Sequence, residues 1–253
     1  MNTAQKIAKE STISFIGIFY GSINRYLYSA LLARWVGPEY LGIYSMANAI
    51  MLIGEVLSKM GMETGTMRFI SRLDPKKDQK EISRIIASAM KMCFVVSLIV
   101  ATALIASSSF IVYNILSEKT LMINVLIVFA IALPFNAMTL IGASATQGYK
   151  KLKYKAFVTQ LVNPTILLFS MIICFSLFSA ESALMYPILV TGILGFYVML
   201  RPIKSLSSMR AIDILKGKKN YELLKYSYPF MFVIILQTFM HWMDILMLGY
   251  FTN

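Results

Sequence analysis

Apolar residues come in seven long runs, at about 12–34, 40–62, 90–113, 121–146, 155–178, 183–202 and 226–250, with short polar stretches between them. Each run is close to the ~20 residues an α-helix needs to cross a bilayer core. Gly37-Pro38 breaks the first run from the second, and Ser117–Thr120 and Ala180-Glu181 make equally short turns. Such turns force neighbouring helices to run antiparallel. Leu73-Asp74-Pro75 is a stop, and the segment KDQKEISRIIASAMK restarts an amphipathic helix that leads into the third run. The pattern predicts an all-α, polytopic membrane protein.

Composition agrees. Of 253 residues, 58% are hydrophobic and 14% charged, where soluble domains are nearer a quarter charged. Mean hydropathy is +0.68. The net charge of +12 would suggest nucleic acid if it formed one patch. Instead, 19 of the 24 basic residues lie before the first run or in alternate turns: Lys6 and Lys9; Arg68 to Arg84; Lys150 to Lys155; Arg201 to Lys225. The opposite turns hold Arg34 and Lys119. The positive-inside rule then places the amino terminus in the cytoplasm; a multi-pass protein of the cell membrane with no nucleic-acid partner is expected. The opening segment MNTAQKIAKEST is followed by no cleavage pattern, so the first run reads as an uncleaved span. Cys93 and Cys174 both sit in apolar runs and read as buried hydrophobes, and a single histidine gives no metal site.

The polar residues inside the runs are patterned. In the first run Ser14, Gly17, Gly21, Asn24 and Tyr28 recur at steps of three and four and share a helix face, with Arg25 beside it. Gly17/Gly21 is a GxxxG spacing that lets another helix approach closely. In the second run Ser45, Asn48, Glu55 and Lys59 share a face, and Gly61/Gly65 repeat the GxxxG. In the seventh, Gln237, His241 and Asp244 stand at i, i+4 and i+7. Pro134 and Asn136 interrupt the fourth run, and Gln160, Asn163 and Pro164 the fifth; prolines there kink helices and free carbonyls.

A charge at the bilayer centre costs at least about 2.5–3.5 kcal/mol on insertion scales. Arg25, Glu55 and Asp244 are therefore expected to face protein or a water-filled cavity. Their different depths favour a polar lumen along the helix axes over one compact cluster. Plainer readings stand beside this one. Glu55 and Lys59 are spaced to neutralise each other, Arg25 could be the structural partner of Glu55, and His241 and Asp244 could form a local helix pair. No Walker loop, dinucleotide fingerprint or nucleophile elbow occurs, and no loop is long enough for a soluble catalytic domain, so no enzyme activity and no cofactor are expected.

The hairpin ALLARWVGPEYLGIYSMANAI, followed by GMETGTMRFISR, resembles the polysaccharide transporter family (O-antigen and teichoic acid export type) of the multidrug/oligosaccharidyl-lipid/polysaccharide flippase superfamily. Its members read GP-x-x-x-G-x-Y between their first two helices and a G…RF step after the second. SATQGYKKLKYKAFVTQLVNPTILL is similar to the family's fourth-to-fifth connection, and YSYPFMFVIILQTFMHWMDILMLGYF to its seventh helix. The resemblance implies a MATE-like fold, two six-helix lobes around a central cavity. Residues 1–202 would form the amino-terminal lobe, 203–225 a basic cytoplasmic linker and 226–253 the first helix of a carboxy-terminal lobe, with the rest of that lobe expected beyond this half.

The same resemblance implies movement of a lipid-linked oligosaccharide, a polyprenyl-pyrophosphate sugar, from the inner to the outer leaflet by alternating access. Membrane lipids surround the path, and H+ or Na+ would be the coupling ion. Arg25 first and Lys59 second would pair with the phosphates. Asn24, Tyr28, Asn48 and Gln237 would offer hydrogen bonds to sugar hydroxyls, and Glu55, His241 and Asp244 would serve ion coupling. Three rivals remain open: a multidrug/cation antiporter, which would want carboxylates and not Arg; a membrane polymerase or ligase, which would want a long outer loop with Arg or His; and a non-transporting remnant or assembly subunit.

Overall fold

A computed structural model describes residues 3–116, 120–207 and 221–251, and among these the chain is helical with no strand. The helices are α1 (Thr3–Leu31), α2 (Pro38–Lys59), α3 (Met62–Ser71), α4 (Gln79–Phe110), α5 (Thr120–Gly148), α6 (Leu152–Ala156), α7 (Asn163–Leu177), α8 (Ala180–Leu206) and α9 (Tyr221–Phe251). Wider π-helical turns close α1 (Leu32–Val36), close α4 (Ile111–Leu116) and join α6 to α7 (Phe157–Val162). Among the described residues, six stretches are long and apolar enough to cross a membrane: Pro38–Lys59, Gln79–Tyr113, Leu121–Gly148, Leu152–Leu177, Ala180–Leu206 and Tyr221–Ile245. The seventh expected span, α1, is 29 residues long but is not among them. Asn24, Arg25 and its tyrosines dilute its apolar content, and it leans on α6, the following π turn and α7.

Local chemistry sets the breaks. Gly37 has a φ of +123°, which side chains rarely adopt, and Pro38 opens α2, where a missing N–H costs nothing. The run expected at 40–62 is two helices. α2 stops at Lys59, Met60 and Gly61 take left-handed backbone (φ 48° and 70°), and α3 starts at Met62. The amphipathic segment after Asp78 is continuous with α4: Ile82, Ile85, Ile86 and Ala89 are buried while Lys80, Glu81 and Arg84 are exposed. The linker expected at 203–225 is helical at both described ends, since α8 runs to Leu206 and α9 begins at Tyr221. Lys119, Arg210, Lys216, Lys218 and Lys219 lie outside the described residues.

The described basic junctions gather at one end of the bundle. There Ile70 of α3 meets Gly148 at the end of α5, Ile203 of α8 meets Gly142, and the Arg68 guanidinium lies 4.6 Å from the ring centroid of Tyr226 on α9. At the other end Trp35 stacks on Phe175, ring centroids 5.3 Å apart.

α5 is the central helix: 67% of its most apolar stretch is buried, against 17% for α9. It packs on α2, α3, α4 and α8. The interior is two apolar layers. One holds Tyr28, Leu32, Ile43, Phe129, Leu167, Met171 and Leu184. The other, at the basic end, holds Met62, Ile70, Ile86, Met90, Ile141, Met199 and Ile203. Lipid tails are as apolar as these side chains, so close packing and interhelical contact decide which faces turn inward.

Candidate functional site

Between the two apolar layers the helices turn polar. Asn48 on α2, Asn136 and Thr139 on α5, Asn163 on α7 and Thr191 on α8 line a cavity of about 510 Å³ together with Arg25, Tyr28, Glu55 and Trp242. The hydroxyls of Ser45, Thr139 and Thr191 each donate to the carbonyl four residues back on their own helix, at 2.8, 2.8 and 2.7 Å. Their lone pairs stay available as acceptors, while the asparagine amides supply donors. Asn163 Oδ1 is buried against Gly195 with no protein partner. The Tyr28 hydroxyl makes no hydrogen bond of good geometry either; the Tyr44 ring lies beside it, centroids 5.1 Å apart. Both atoms are sealed from solvent, so what the wall offers water or a polyhydroxylated guest is the other asparagine and hydroxyl groups that line it.

The placement of Arg25 follows from Pro164. A proline has no N–H to give the carbonyl four residues back and would clash with it. Here that carbonyl belongs to Gln160, inside the π turn, and it points at α1. It lies where a Cβ on Gly21 would come within 2.5 Å, so glycine is needed for the approach. One turn further along α1, Arg25 donates from an Nη to Gln160 Oε1 at 3.1 Å. Gln160 thus seats α1 with its backbone and aims the guanidinium, at the exposed edge of the cavity, with its side chain. Tyr20 adds a hydroxyl contact to Thr165 Oγ1 at 3.1 Å.

Four of the nine candidate site residues meet in this cavity: Arg25, Tyr28, Asn48 and Glu55. Along α2 the lining runs from Ser45 through Asn48 to Glu55, so these residues follow the helix axis over about two to three turns. The others lie elsewhere. Asn24 is buried and donates to the Tyr20 carbonyl at 3.1 Å. Lys59 sits behind Glu55, bonded to it at 2.8 Å and to Glu63 at 3.1 Å. Arg25 is held by Gln160, so its described partner is not Glu55. Gln237, His241 and Asp244 are exposed on the face of α9 turned away from the lobe, whose inward face carries Leu223, Ser227, Trp242 and Ile245. Asn136, Asn163, Thr139, Thr191 and Trp242 were not singled out as site residues from sequence. The Pro134/Asn136 and Asn163-Pro164 pairings were the available signal.

Residues 7–253 match the family model described as polysaccharide biosynthesis protein. The chain belongs to that family. No curated protein and no solved structure matches it. Family and helices together describe a multi-pass membrane transporter serving polysaccharide synthesis.

Proposed function

We propose that this family member is a flippase that carries a lipid-linked oligosaccharide from the cytoplasmic to the outer leaflet of the cell membrane. The observation that carries the reading is the charge on the cavity wall. Arg25 is its cation, and its carboxylate, Glu55, is neutralised by Lys59. A pyrophosphate would pair with Arg25, which spends one of its five donors on Gln160. Sugar hydroxyls would bond Asn48, Asn136 and Asn163. The prenyl tail would stay in the bilayer.

Alternating access would rock this lobe against a second one. The exposed face of α9, with Gln237, His241 and Asp244, is available to that lobe and to a coupling H+ or Na+. The reading assigns the chain no covalent chemistry. The cation antiporter is less well supported, since it needs a free carboxylate in the cavity and Glu55 is engaged by Lys59.

The test is depletion of the native protein in cells. Lipid-linked oligosaccharide reached by a membrane-impermeant lectin at the outer face is then compared with the total. Loss of the outer pool with a growing total supports the reading, and an unchanged outer fraction overturns it.

A further inference from the structure

A second cavity, of about 640 Å³, opens on the outer surface of the lobe at its basic end, away from the polar one. α1, α6 with its π turn, and α8 form its walls, and Ile13, Phe157, Leu161 and Val198 make it apolar. Phe157 is 51% and Ile13 37% exposed, so the groove faces the bilayer. At its mouth stand two exposed cations, Lys153 from the start of α6 and Arg201 from the last turns of α8. Among the described residues neither makes an ion pair. Each instead lies over a tyrosine ring, Lys153 5.0 Å from the Tyr154 centroid and Arg201 5.5 Å from that of Tyr197.

We infer that this groove is a binding site for an anionic phospholipid of the cytoplasmic leaflet, with its phosphate held between Lys153 and Arg201 and an acyl chain along Phe157, Leu161 and Val198. Charge complementarity selects the occupant. Two cations at the rim of an apolar channel match an anion joined to a hydrocarbon chain, and basic pockets between helices on the cytoplasmic side are where anionic headgroups bind. Arg adds paired donors to phosphate, and Lys a point charge. Ser205 at the same rim offers a further hydroxyl. The site is separate from the polar cavity, so it stands or falls independently of the flippase reading. A lipid here would bridge α1 to α8 and brace the helix that carries Arg25.

The test is lipid retention by the purified full chain, read by native mass spectrometry after incubation with phosphatidylglycerol or with zwitterionic phosphatidylcholine. The wild-type chain is expected to retain phosphatidylglycerol and not phosphatidylcholine. Lys153→Gln/Arg201→Gln should weaken retention by about 30-fold, from the usual contribution of two basic residues at an anionic surface. Val198→Trp, which fills the groove and keeps both charges, should weaken it as well. Lys76→Gln/Lys77→Gln, on the exposed turn before α4, should leave it unchanged. Circular dichroism and a single gel-filtration peak identify variants that fold. Equal retention by all folded variants, or equal retention of both lipids, would overturn the assignment. So would full competition by glycerol phosphate, which would make the ligand a phosphate without a chain.

Discussion

Lys59 is the residue whose removal should cost the lobe most. Its ammonium lies 2.8 Å from Glu55 Oε1 and 3.1 Å from Glu63 Oε1. At an effective dielectric of about 20, contacts of this length are each worth about 5–6 kcal/mol in Coulomb terms. Desolvation offsets most of that, so the intact cluster adds little net stability. Breaking it is different. Lys59→Met keeps the aliphatic stem but strands Glu55, whose side chain is 9% exposed, beside Glu63, which is 25% exposed. Removing one partner of a buried pair costs about 3–5 kcal/mol. Glu55→Gln leaves Lys59 paired with Glu63 and should cost about 1–2 kcal/mol. Glu63→Gln, nearer water, should cost about 1 kcal/mol or less. The double variant Lys59→Met/Glu55→Gln should recover part of the loss, a positive coupling between neighbours. The assay is thermal unfolding of the purified protein in detergent, followed by Trp35 and Trp242 fluorescence. Lys59→Met should lower the midpoint by on the order of 10 °C. A Lys59→Met protein as stable as wild type, or Glu63→Gln costing more than Glu55→Gln, would refute the reasoning.

Three other outcomes follow from the packing. Gly21→Leu drives a Cβ to within 2.5 Å of the Gln160 carbonyl and 3.1 Å of its Oε1, whereas the tightest contact of Gly17→Ala is the flexible end of Leu161, at 3.2 Å. Gly21→Leu should cost about 1–3 kcal/mol in the same melting assay and reduce transport, and Gly17→Ala should do neither to that extent. A Cβ on Gly65 would lie 3.4 Å from that of Ser227, near the usual disulfide separation of about 3.5–4.5 Å. Gly65→Cys/Ser227→Cys should therefore cross-link α3 to α9 under mild oxidant, as a mobility shift on a gel after cleavage of the intervening chain. Gly42→Cys/Ser227→Cys, with open space at position 42, should not. Asn163→Leu removes a buried, unpartnered oxygen; the melting temperature should hold or rise while transport falls, and a clear loss of stability would make Asn163 a structural residue.

The sequence carried the fold well where chemistry repeats along a helix. The step of three and four through Gly17, Gly21, Asn24 and Tyr28 is the buried face of α1, and the Gly37-Pro38 pair is the first hairpin. The basic turns fall at one end because every crossing reverses direction. What stayed hidden depends on which helices meet. The π turn at Phe157–Val162 has no residue pattern of its own, although Pro164 explains it once Gln160 is seen facing Gly21. The polar wall formed by Asn48, Asn136, Asn163 and Thr191 draws on four helices, and no spacing within one run reveals it. Gln237, His241 and Asp244 show the converse. Their spacing gives a true stripe, but nothing in it says that the stripe lies on the outward side of α9. The break at Met60-Gly61 was signalled by glycine and masked by the apolar residues around it.

The most direct measurement is the rate at which the native protein carrying this chain, reconstituted in vesicles, moves a lipid-linked oligosaccharide between leaflets with Arg25 changed to Gln or to Lys. Hydrogen bonds to a charged group are worth about 1.5–3 kcal/mol, or about 10- to 150-fold in rate. Arg25→Gln should slow flipping by that factor, Arg25→Lys by less, and neither should shift the unfolding midpoint appreciably. A wild-type rate in the Arg25→Gln protein would contradict the assignment of the polar cavity as the oligosaccharide's path.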